Sequence, residues 1–149
     1  MQYKYNEELT KLASFNKTDG CFSDYSEKKI SAYRWTFSDI EDKRNFIPMA
    51  SNKENFSLAK TCNGWALSFH KVESKSRESW KKLITDKPKK YKKIGTHIAF
   101  GEILKTDGKC SEPEKSSHFN LIEYKDVDLI ERFEILDCLL ENETLEPME

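Results

Sequence analysis

The chain has 149 residues with 37% hydrophobic and 12% aromatic content, the size of one domain and enough to bury a core without metals or disulfides. Its formal net charge of -1 gives no general attraction to nucleic acid or to an anionic membrane. No stretch approaches the roughly 20 apolar residues that cross a bilayer, and the opening "MQYKYNEELTKLASF" lacks the apolar centre of a signal peptide.

In chain order, Tyr5 to Phe15 reads as an amphipathic helix, with Tyr5, Leu9, Leu12 and Ala13 on one face. "NKTDG" stops it at Gly20, and "CFSDYSEKK" is a polar connection. Ile30 to Phe37 alternates Tyr33, Trp35 and Phe37 with Ala32, Arg34 and Thr36, the pattern of a strand. "SDIEDKRNFIP" is a turn or short helix ended by Pro48, and "SNKENFSLAKTCNG" is irregular. "WALSF" alternates Trp65, Leu67 and Phe69 as a second strand.

Glu73 to Thr85 reads as a helix with Trp80, Leu83 and Ile84 as its apolar stripe and Ser74 or Ser76 as its cap. Ile94 to Leu104 and His118 to Tyr124 are strands, joined by a loop with an Asp107-Gly108 turn and Pro113. "DVDLIE" is a turn of helix and "RFEIL" a last strand. The acidic end from Asp137 holds no Lys or Arg and frays after about Leu145. Strands and helices alternate without a βαβ rhythm. The expected architecture over residues 1–149 is therefore a single α+β domain: a mainly antiparallel sheet of about four to five strands packed by two or three helices. Trp35, Trp65, Trp80, Phe100 and Leu121 are its expected core.

The four cysteines, Cys21, Cys62, Cys110 and Cys138, are widely spaced. They form no close pair that would hold zinc. Free thiols in a cytoplasmic protein are expected, with no metal, no cofactor and no membrane contact. In that setting the glycosylation patterns at Asn16, Asn55 and Asn142 carry no meaning.

Two segments resemble each other. "GTHIAFGEI" and "SSHFNLIEY" each carry a hydroxyl, a His, an apolar run and a Glu five places after the His: His97 with Glu102, and His118 with Glu123. The pair resembles the two-histidine phosphoesterases, whose motif is His-x-Thr/Ser; the corresponding positions here are Ala99 and Asn120. If the two strands form a hairpin, His97 falls opposite Lys125, on the order of 23 Å from His118 at about 3.3 Å per residue. The two histidines are then not expected to share a site. "AYRW" with Arg34 and "WALSFHKVESKSRESW" with Ser68 resemble the ADP-ribosyltransferases, with Glu102 or Glu123 as the late carboxylate, although neither has the family's acidic residue two places earlier.

Lys71 to Lys93 is strongly basic, and Lys87, Lys89, Lys90, Lys92 and Lys93 surround Tyr91. Such a run binds phosphates, with the aromatic stacking on a base, or is a solvated surface. Three functions follow, in this order. The first is a cytoplasmic interaction or regulatory module for a protein partner. The second is a small enzyme acting on nucleotide or nucleic acid through Arg34, His97, His118 and a carboxylate. The third is a nucleic-acid binder through residues 87–93. An enzyme brings at least two of its candidates into one pocket; a module shows an exposed patch instead.

Overall fold

In the computed structural model, residues 2–12, 22, 24–51 and 61–140 are described, together with the backbone of 13–16. The expected irregular segment 52–60, the acidic end beyond residue 140 and the three glycosylation-pattern side chains lie outside them.

Six strands form one antiparallel sheet: β1 (Ile30–Thr36), β2 (Leu67–His70), β3 (His97–Ile103), β4 (Gly108–Cys110), β5 (His118–Glu123) and β6 (Glu134–Cys138). The α+β class holds, but the count exceeds the four to five expected. The additional strand is β4, three residues inside the segment read as a loop. It pairs Gly108 with Glu123 and Cys110 with Leu121. A three-residue strand carries too little alternation to announce itself.

The sheet order is β4-β5-β2-β1-β3-β6. β3 and β5 are therefore not the hairpin expected from their similar sequences. β3 pairs with β1 along its whole length, from Ile30 against Ile103 to Thr36 against His97. β5 pairs with β2, from Leu67 against Leu121 to His70 against His118. β1 and β2 meet at Tyr33 and His70.

One face of the sheet carries Ala32, Leu67, Phe69, Ala99, Ile103, Phe119 and Leu121. It is covered by Ile40 and Phe46 after β1 and by Leu129 and Phe133 before β6. The other face is covered by helices in two patches. Helix α1 (Asn6–Asn16) lays Leu9 over Ile122 beside Ala66 and Phe22. Helix α2 (Glu73–Asp86) and the single turn α3 (Tyr91–Ile94) lay Trp80, Ile84, Tyr91 and Ile94 over Tyr33, Trp35 and Ile98. The apolar stripe expected of α2 is thus present. Its cap is not: Val72 is the N-cap without a side-chain bond. Ser76 instead lies buried and accepts a 3.0 Å bond from the Trp35 indole.

Trp80 and Leu121 are buried as expected, whereas Trp35 and Trp65 are half-buried and Phe100 is 36% exposed. Trp65 belongs to a 3-10 turn before β2 (Asn63–Trp65) and not to the strand. Phe100 points to the helical face beyond α2, where it meets Tyr33. Cys62 is disulfide-bonded, against the expectation of free thiols. Cys110 and Cys138 are free.

Candidate functional site

The two helical patches leave a gap between them, and strand alternation decides what fills it. On β2, Leu67 and Phe69 point into the core, so Ser68 and His70 point to the helical face. On β5, Phe119 and Leu121 point inward and His118 and Asn120 share the face of Ser68 and His70. Direct pairing sets His70 opposite His118 and Ser68 opposite Asn120. The imidazole centroids lie 5.7 Å apart, edge to face.

A carboxylate is delivered to this pair by a local turn. The Ser117 N–H donates to Glu114 O at 2.9 Å and the Glu114 N–H donates to His118 O at 2.8 Å. Ser117 takes a positive φ of 66° to close the turn. The Glu114 carboxylate accepts a hydrogen bond from His118 Nδ1. That bond fixes the ring and leaves Nε2 for proton exchange. His70 is 7% exposed and packs 5.4 Å from the Trp35 ring. Burial, then the neighbouring His118, pushes its pKa down to about 4, with Glu114 opposing. His70 is therefore a neutral imidazole over the whole physiological range.

Beyond the Tyr33–His70 pair, β1 and β2 diverge. Arg34 fills the wedge: Nε donates to Asn45 O at 2.6 Å and Nη1 to Ser68 O at 2.7 Å. The guanidinium lies over the rings of Phe46 and Phe69. Desolvation lowers its pKa to about 10, so it keeps its charge. Above the wedge is a cleft of about 240 Å³ lined by Arg34, Ser68, His70, His118, Trp35, Phe37, Arg44 and Lys93. No Asp or Glu lines it among the described residues. Next to it, Asn120 donates to the Tyr25 hydroxyl at 3.2 Å, which donates to Asn63 Oδ1 at 2.7 Å.

The sequence candidates divide sharply. Arg34, Ser68 and His118 reach one cleft. His97 does not. It lies on the opposite face of the sheet, three strands away from β5, with Nδ1 2.8 Å from Thr96 Oγ1. The separation from His118 is roughly 17 Å by strand spacing and rise. The two histidines are apart as expected, though not because of a hairpin. Glu102 is exposed, 3.7 Å from Lys29. Glu123 is buried and accepts from Lys4 at 2.8 Å, and burial raises its pKa despite that partner. The Glu123 charge acts on buried Arg34, but neither carboxylate lines the cleft with Ser68, so the ADP-ribosyltransferase arrangement is not assembled. The Cys110 thiol, pushed up to about 12 by burial, is no nucleophile at neutral pH.

His70 and Glu114 are the residues that sequence reasoning missed. The outward parity of His70 was readable, but its partner depends on β2 pairing with β5, which no local pattern announces. Tyr91, the aromatic that a nucleic-acid-binding run would offer to a base, packs against the cluster around Trp80 and Ile98. No family model matches the sequence, and neither a curated protein nor a solved structure matches it.

Proposed function

We propose that the protein is a small enzyme that cleaves phosphodiester bonds of RNA by acid–base catalysis between His70 and His118. The observation that carries this reading is the pair of imidazoles 5.7 Å apart in a cleft lined by cations. Neutral His70 is the base. It takes the proton of a ribose 2′-hydroxyl, whose oxygen forms a bond to phosphorus. The bond from phosphorus to the 5′-oxygen breaks, and His118, oriented by Glu114, gives that oxygen its proton. The products are a 2′,3′-cyclic phosphate and a free 5′-hydroxyl. Arg34 stays buried in the wedge against Phe46 and Phe69, within the field of Glu123, so the positive charge offered to the reacting phosphate comes from Arg44 and Lys93 at the rim of the cleft.

An interaction module shows an exposed apolar or charged patch. The large exposed apolar side chains among the described residues, Ile47, Val72, Phe100 and Leu136, sit on four separate segments. The convergence of two imidazoles with cations in one cleft is what places the enzyme reading first. The disulfide at Cys62 fits an oxidising compartment better than a reducing one, so no cytoplasmic location belongs to the proposal.

The test is cleavage of the dinucleotide UpA, with cyclic phosphate detected by phosphorus NMR. Wild type should form it, and His118→Gln should lose at least 10²-fold in kcat, as removal of a general acid does. Absence of the cyclic product from wild type over pH 4–8 overturns the proposal and restores the protein-partner reading.

A further inference from the structure

The histidine cleft does not end at its own rim. Arg44 and Lys93 line both the cleft and an adjoining depression, to which Lys92 also belongs. Lys93 then lines a third concavity with Lys87, Lys89 and Lys90. The basic run of the sequence is thereby joined, end to end, to the site that holds His70 and His118. The reason is topological. Helix α2 runs over the face of the sheet that carries the histidines, and Lys87 follows its end. The turn α3 then returns the chain towards β3, with the Thr96 N–H donating to Thr36 O at 2.9 Å, close to Phe37 at the mouth of the cleft.

Charge along this path is of one sign. No Asp or Glu lines the three concavities among the described residues. Two carboxylates touch lining residues from outside: Asp42 is bound to Arg44 at 2.7 Å, and Glu114 is bound to His118 at the end of the cleft away from the lysines. Arg44 also lies 3.6 Å over the Phe37 ring, a flat surface beside the cleft.

Resting on the cleavage reading above, we infer that the substrate is a single-stranded polynucleotide several residues long, whose phosphates outside the cleft follow Arg44 and Lys93 onto Lys87, Lys89, Lys90 and Lys92. A mononucleotide would leave that path unused. A duplex would not bring a phosphate to His70, which is 7% exposed; a lone strand is free to splay and enter. Each phosphate met along the path releases condensed counterions. Affinity therefore rises with chain length and falls with salt, by about 0.7 in log K per phosphate per tenfold change in salt.

The test measures affinity of the His118→Gln protein for fluorescent oligouridylates of two and eight residues. A second protein also carries Lys→Gln at 87, 89, 90 and 92. The octamer is expected to bind at least tenfold tighter than the dimer, with a log–log salt slope of roughly -2 for three phosphates. In the second protein that ratio should fall towards one while the melting temperature stays unchanged. Equal affinity for both lengths, or a ratio that survives the lysine changes, overturns the inference. Failure of the cleavage reading looks different: octamer binding keeps this pattern while wild type leaves the octamer intact. Conversely, cleavage of dimer and octamer with equal KM removes the track and leaves the catalysis.

Discussion

His70 couples the site to stability through its proton. Its folded pKa is held near 4 against an ordinary 6.5, because the neutral ring is buried. Between those values the unfolded chain binds a proton that the folded chain refuses. Stability therefore rises with pH through this window and is lost as pH falls from about 6.5 towards 4. His70→Gln should flatten the melting temperature across that interval, measured by thermal denaturation at several pH values. An unchanged slope would show that His70 is not buried neutral. The same proton sets the acid limb of catalysis, which should fall off near pH 4 and not near 6.5. Glu114→Gln probes the partner. The carboxylate orients His118 without touching substrate, so kcat should fall about 10²-fold with KM little changed. A change in KM alone would reduce Glu114 to a binding role. Arg34, Ser68 and His118 were legible as candidates because a cation, a hydroxyl and an imidazole stand out on strands. His70 was not, because a lone His at the end of an apolar strand is ordinary until its cross-strand neighbour is known.

At the scale of elements, periodicity was a good guide where an element is long. Leu9 and Leu12 mark α1, and Trp80 with Ile84 marks α2, because helices of three or more turns must repeat their apolar face. It failed for β4 and for Trp65, where a strand or turn of three residues is shorter than the pattern that would reveal it. The junction of α3 with β3 tests how tightly these elements are held. Gly95 has a φ of +98°, and a Cβ there would stand 2.2 Å from Thr36 O. Its carbonyl accepts the Trp80 indole N–H at 3.0 Å. Gly95→Ala should therefore strain the backbone and push the start of β3 away from β1, costing on the order of 3 kcal/mol. Chemical denaturation measures this. A wild-type midpoint would mean that the close approach at Thr36 relaxes freely.

Across the whole molecule, the sheet has a seam. β1 holds β3 through a continuous register of seven residue pairs, whereas β1 and β2 share the Tyr33–His70 pair. No sequence pattern foretold this, because strand order depends on which edges remain free after the long connections close. The seam is where the cleft opens, and Arg34 spans it by bonding Asn45 O and Ser68 O. The halves β4-β5-β2 and β1-β3-β6 should therefore separate locally before the sheet unfolds globally, since few backbone bonds cross between them. Native-state hydrogen exchange reads this directly. Amides of the β1–β3 ladder should exchange near the global limit, and those of β2 that face β1 well below it. Arg34→Met removes the side chain that spans the wedge and leaves two carbonyls unpaired, at a cost of about 1–3 kcal/mol. That variant should speed exchange along the seam while the β1–β3 ladder keeps its rank as the slowest. Uniform protection across β1, β2 and β3 in the wild type would mean that the two halves open as one, and that the cleft is a surface feature and not the boundary between them.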